Sequence, residues 1–183
     1  YDGSLKSASG LVGSEGQKMM EAREADKLLC GNLIGKVMEK ALKTGESNAC
    51  MKRIVAAPTA GSCGVVPAVF LTLQEERGFS EDEMVEALYV AAGIGGVIAN
   101  RAFLAGAAGG CQAEIGTACS MAAAALAELH FMDLDQIEYA AENAMEHYLG
   151  LTCDPVCGLV QIPCIERNAV VAMRAINALS LAN

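Results

Sequence analysis

The chain has 183 residues, enough for one domain with a sizeable core. Hydrophobic residues make up 53% of it and aromatics only 4%, a mix of Ala, Gly, Val, Leu and Met that suits closely packed helices better than sheets. A formal net charge of −9 without a basic cluster excludes nucleic acid and anionic membrane surfaces as partners, because both require stripes of Lys and Arg.

The opening, Tyr1–Gly16, is rich in Gly and Ser and has no period, so it reads as a loop or extended arm. From Gln17 to about Leu42 the apolar positions Met20, Leu28, Ile34, Val37, Met38 and Leu42 follow helical spacing, with Gly31-Asn32 as a dividing point. Gly45–Asn48 is expected to break the chain. Arg53 then opens a short extended run that enters a loop at Pro58–Gly64, and Pro67 marks the first turn of a helix reaching about Glu76. The uncharged stretch Ile54–Gln74 is long, but Pro58, Gly61, Gly64 and Pro67 interrupt it, so it is expected to be buried and not membrane-spanning.

Ser80 with Glu83 predicts a capping box opening a helix to about Ala99, within which Gly93, Gly95 and Gly96 suggest close packing of another backbone. Gly106–Gly110 breaks the structure before an Ala-rich helix over Thr117–Leu129. His130, at its end, fits a favourable helix C-terminal charge. Asp133 or Asp135 caps a further helix ending near His147. The Gly/Pro-rich Cys153–Pro163 segment then leads into a last helix, about 165–181. No internal repeat appears. The expected architecture is all-α, a compact multi-helix domain with Gly/Pro-rich loops gathering its cysteines.

Eight cysteines with no signal peptide before them suggest a reduced, cytoplasmic setting, where clustered thiols more often hold metal than cross-link. Cys111, Cys153 and Cys164 lie in irregular segments that allow thiolates to converge, whereas Cys30 and Cys119 sit in helical patterns as small core residues. The spacings of 42 and 11 residues match neither zinc-finger pairs nor the ferredoxin pattern. Three thiolates on a cubane would leave one iron open as a Lewis acid; four would suit electron transfer, and Cys157 or Cys63 is available as the fourth. The Thr59–Gly64 loop, feeding a helix N-terminus, offers backbone N–H groups to a substrate carboxylate.

Three longer stretches, KRIVAAPTAGSCGVVPAVFLTL, GGCQAEIGTACSMAAAAL and LGLTCDPVCGLVQIPCIERNA, resemble the α chain, or catalytic domain, of the iron–sulfur-dependent L-serine dehydratases, and the resemblance extends over nearly the whole chain in the same order. It implies an all-helical fold, a [4Fe–4S] cluster that air would remove, no pyridoxal phosphate, and deamination of L-serine to pyruvate and ammonia. By position, the family's cluster ligands fall on Cys111, Cys153 and Cys164; the Ala57–Gly64 loop becomes the substrate side, with Thr59, Gly61 and Ser62 as carboxylate or amine contacts. Cys63, Cys119 and Cys157 vary in the family and are demoted as ligands. The resemblance also implies a β chain or β domain as partner, a homo- or hetero-oligomeric assembly, and a C-terminal extension beyond Asn183, so the chain is expected to be the α-type catalytic domain of a larger protein.

Hydroxide is a poor leaving group, so an open iron on the serine β-hydroxyl would stabilise the charge that develops as the C–O bond breaks. A base must take the α-proton, and His147, six residues before Cys153, is the titratable candidate, with Glu166 or a group of the partner domain as alternatives. Arg167 and Asn168 are placed to orient the segment that bears Cys164. An L-cysteine desulfidase, a threonine-active relative, or a non-catalytic electron-transfer or structural subunit would draw on much the same residues.

Overall fold

The computed structural model describes residues 1–53 and 55–183, and among them there is no β-strand. Eight α-helices form the chain: α1 Glu15–Glu24, α2 Gly31–Ala49, α3 Val65–Arg77, α4 Glu81–Arg101, α5 Gly106–Cys111, α6 Thr117–Leu129, α7 Leu134–Glu146 and α8 Cys164–Ala182. The all-α expectation holds. Ile54, in the expected extended run after Arg53, lies outside the described residues.

Helix α6 is the hub. Ala118, Cys119 and Ala122–Ala127 have no exposed surface, so α6 is buried on all sides, as its nearly uncharged sequence requires. It packs against α3, α4, α7 and α8, while α2 covers α3 and α8 and in turn carries α1. Alanine methyls let these axes approach closely, and at Gly95 of α4 an added Cβ would lie 2.9 Å from Met121 Sδ. Gly93 and Gly96 face open space, so close packing explains one of the three glycines and not the group. Among the described residues no single helix is long and apolar enough to cross a membrane. The apolar α3 buries Val65, Val66, Ala68, Val69, Phe70 and Leu73, as expected of that run.

Local signals set several boundaries. Ser80 Oγ accepts from Glu83 N at 3.3 Å while Glu83 Oε2 accepts from Ser80 N at 2.7 Å, closing the predicted box. Asp133, not Asp135, caps α7, with a reciprocal partner in Gln136. His130 stands at the C-cap of α6, its Nδ1 bonded to Leu126 O at 2.8 Å.

One expected boundary is wrong. Helix α2 runs straight through Gly45–Asn48 to Ala49. Gly45 lets Ile165 pack against the helix, with only 3.1 Å between that side chain and an added Cβ, and buried Glu46 accepts from Gly16 N at 3.0 Å and from the Tyr1 hydroxyl. These distant partners outweigh the local cost of a helical glycine, about 1 kcal/mol. The Gly106–Gly110 break is also narrower than expected. Residues 106–111 form the short α5, and the departure from helix falls on Gly110, at φ 77°, where an added Cβ would meet Leu151 O at 2.6 Å.

Candidate active site

Four segments meet beside the N-terminus of α8: the Ala57–Gly64 loop, the Gly106–Gly116 segment, the Leu149–Pro163 loop and the first turns of α8. Asn168 holds two of them together. It is 1% exposed, and its Oδ1 accepts from Gly64 N at 2.8 Å while its Nδ2 donates to Gly61 O at 2.7 Å and Cys164 O at 2.6 Å. The substrate-side loop is thereby clamped onto the turn that carries Cys164. The clamp takes up the Gly64 amide, so that N–H is not available to an anion in the way the loop's sequence suggested.

Within the loop, Ala60–Ser62 forms a single 3₁₀ turn. Ser62 is fully buried, and its hydroxyl bonds to Ala57 O at 3.2 Å and pairs with Thr59 Oγ1 at 3.2 Å. Ser62 therefore shapes the loop. Thr59 is the residue whose hydroxyl leaves it, donating to Glu114 Oε1. Gly61 makes room for that carboxylate, since an added Cβ would stand 2.6 Å from Glu114 Oε1 and 2.9 Å from Oε2.

Glu114 lies on a π-helical turn, Gln112–Gly116, between α5 and α6. Such turns widen a helix locally and recur at functional sites. Its Oε2 would be 2.8 Å from a Cβ at Gly106, and the same Cβ would be 3.7 Å from Cys153 Sγ. Its hydrogen-bond donor, Thr59, lies 55 residues away in the chain, and no local pattern in the sequence signals the pairing.

The three predicted cysteines approach this carboxylate from different directions. Cys111 is 3% exposed, Cys164 is 8% exposed at the start of α8, and Cys153 is exposed on its loop. Burial pushes the Cys164 thiol up to about 11, and negative charge on Cys111, Glu114 and Cys153 adds to the effect while Arg167 opposes it. Burial likewise raises Cys111, against the hydrogen bond from Arg167. Cys111 and Cys164 thus both resist ionisation, through burial first and neighbouring negative charge second. Among the described residues, however, no group of three His, Cys, Asp or Glu is drawn tightly enough to bind a single metal ion.

Among the described residues, Arg167 supplies the cationic contact to these thiols. Its Nη1 donates to Cys111 Sγ at 3.0 Å and to Thr152 O at 3.3 Å, and the guanidinium forks onto Asp154 at 2.7 and 3.2 Å. A side chain of α8 therefore fastens Cys111 to the loop of Cys153. Gln112 N on Leu151 O at 3.1 Å and Gly150 N on Gln112 Oε1 at 2.6 Å close the same seam.

Among the described residues, His147 hydrogen-bonds to none of the three cysteines. It caps α7, with Nδ1 against Asn143 O at 2.8 Å and Arg174 Nη2 against the ring at 2.6 Å. It lines a cleft of about 550 Å³ together with Glu166 and Arg167, and Arg167 is its link to the cysteine region. Of the demoted cysteines, Cys119 is a core thiol, pushed up to about 12 by burial, and Cys157 is exposed at φ 54°. Cys63 is buried under the loop, accepting from Asn48 Nδ2 at 3.4 Å.

The family model described as serine dehydratase alpha chain matches residues 2–183. The chain belongs to the serine dehydratase alpha chain family. Among its relatives, the protein named "Probable L-serine dehydratase, alpha chain" of Bacillus subtilis (strain 168) is 43% identical over 178 residues, covering 97% of this chain and 59% of the relative. L-serine dehydratase 2 of Escherichia coli (strain K12) is 50% identical over 143 residues, covering 78% of this chain and 31% of the relative. L-serine dehydratase of Mycobacterium bovis is 51% identical over 146 residues, again 78% of this chain and 32% of the relative. The chain thus spans between about a third and three fifths of the length of these serine dehydratases.

Proposed function

We propose that residues 1–183 form the α-type catalytic domain of an L-serine dehydratase, which deaminates L-serine to pyruvate and ammonia in the cytoplasm and works with a β chain or β domain in an oligomer. The observation that carries this reading is the Asn168 clamp, which sets the Thr59–Ser62 loop against the turn bearing Cys164. Family membership supports it.

The donor set fits an iron–sulfur group better than a hard cation. Three thiols are soft ligands, and the spacing that defeats a single ion is compatible with a larger cluster. Cys111, Cys153 and Cys164 would hold a [4Fe–4S] cluster, which when bound supplies an open iron as Lewis acid for the departing β-hydroxyl.

The chain's own residues do the rest. Arg167 offsets negative charge at Cys111 and ties down the Cys153 loop through Asp154. Thr59 and the Gly61 backbone form the wall against which the amino acid lies, and Ser62 and Asn168 keep that wall rigid. Asn168 and the Thr59 box hold the loop before substrate arrives, so little reorganisation is left for the reaction. We assign removal of the α-proton to His147, on the grounds that its cleft is shared with Arg167. The resulting enamine tautomerises and loses ammonia in water.

The test is pyruvate release. The full-length protein, prepared without oxygen and reconstituted with iron and sulfide, should convert L-serine at a kcat/KM well above that for L-threonine or L-cysteine. Preferential sulfide release from L-cysteine would indicate a desulfidase. A cluster saturated by four thiolates and unperturbed by serine would indicate an electron carrier, and failure to take up iron would refute the catalytic reading.

A further inference from the structure

We propose that Glu114 is the residue that recognises the α-ammonium of the substrate and so restricts the site to amino acids. The inference rests on the serine dehydratase reading and deepens it.

Glu114 is a half-buried carboxylate with one hydrogen-bond donor, the Thr59 hydroxyl on Oε1. Among the described residues nothing donates a hydrogen bond to its Oε2, and no Lys, Arg or His pairs with it. The nearest guanidinium, Arg167, is committed to Asp154 and Cys111. A carboxylate whose second oxygen has no protein donor keeps acceptor capacity for the cationic group of a ligand.

The surroundings are built around this group. Two glycines on separate segments, Gly61 and Gly106, leave the space that its oxygens occupy, and a methyl at either would come within 2.9 Å of them. The π-helical turn projects Glu114 toward the loop and the Cys153 side at once. The carboxylate therefore stands between the loop that would bind substrate and a thiol that would bind the cluster.

The kind of cation that suits this position follows from the donor set. A hard divalent ion wants six or more oxygen ligands, and this position offers one carboxylate and one hydroxyl, the latter already spent as a donor. A primary ammonium needs only two or three acceptors and is satisfied by a carboxylate oxygen with neighbouring carbonyls. An amino acid whose hydroxyl lies at the cluster has its ammonium one carbon away from the reacting carbon, at the distance at which a fixed neighbour of that cluster can hold it.

Glu114→Gln keeps the shape and the bond from Thr59 and removes only the charge. The variant and the wild type, as full-length protein with its partner domain and loaded anaerobically, are titrated by calorimetry with two ligands that do not react. L-Alanine keeps the ammonium and lacks the hydroxyl; 3-hydroxypropionate keeps the hydroxyl and lacks the ammonium. Glu114→Gln should weaken L-alanine by about 30-fold, the low end for loss of one partner of a charge pair, and leave 3-hydroxypropionate within twofold. Equal weakening of both ligands, or unchanged L-alanine binding with a lowered kcat for serine, would overturn the assignment. If Glu114→Gln does not fold, Thr59→Val replaces it: a several-fold loss confined to L-alanine supports the role, and an unchanged or unselective pattern overturns it. A wild-type protein that neither binds nor deaminates serine would refute the dehydratase reading itself, independently of either variant.

Discussion

Replacing Asn168 with Ala should damage both the fold and the site. The substitution strands the buried Gly64 amide and takes one partner each from the carbonyls of Gly61 and Cys164. A stranded buried amide costs about 1–3 kcal/mol, and the carbonyls add less because each has a second lone pair to offer water. A total of about 3 kcal/mol is then expected, a large share of the roughly 5–15 kcal/mol that holds a domain together. For a chain of this size that corresponds to a fall in Tm of about 6–12 °C. Urea unfolding of the reduced protein, followed by circular dichroism, should show a lower midpoint with an unchanged slope. Iron retention should fall in the same variant, because the loop and the Cys164 turn are no longer joined. A change below about 0.5 kcal/mol, the range of an ordinary surface substitution, would show that Asn168 is not a clamp.

Cys153→Ala should abolish iron uptake after anaerobic reconstitution, while Cys119→Ala should retain iron at a stability loss on the order of 1 kcal/mol; equal iron loss in both would refute the ligand assignment. Gly61→Ala pushes a methyl into the Glu114 carboxylate, the free end of a flexible side chain, so Tm should hardly move while kcat/KM for serine falls on the order of tenfold to a hundredfold; unchanged kinetics would mean that the approach is unimportant. His147→Gln should lower kcat at least about 100-fold with iron content unchanged, and near-normal turnover would transfer the proton to Glu166 or the partner domain. Burial works against ionisation of Glu39, but hydrogen bonds from Lys43 and Arg23 outweigh it and hold the carboxyl below its usual range. Its stabilisation is therefore present above the unfolded pKa of about 4.3 and lost as pH falls through the lower folded value. Glu39→Gln should accordingly destabilise near neutral pH, with the difference shrinking in acid; a gap that widened in acid would contradict the sign.

Much of the scaffold was legible because its signals are local. The Ser80 and Asp133 boxes lie within three residues of their partners, and the uncharged Ala-rich run of α6 could only be a helix surrounded by others. The family was legible too, since the motifs around Cys111, Cys153 and Cys164 are continuous in the chain. What misled was also local: Gly45–Asn48 carries the residues of a break, yet Ile165 and Gly16, brought there by folding, keep α2 helical.

The composition, the capping residues and the order of the cysteine motifs thus determined an all-helical member of the serine dehydratase alpha chain family. Only the tertiary structure decided which groups stand together. Glu114 meets Thr59 across 55 residues, and Asn168 meets Gly61 across 107. It also set His147 beside Arg174 and Asn143. Helical spacing carries information over three or four positions, whereas a site assembled from four loops depends on contacts that no such periodicity can encode.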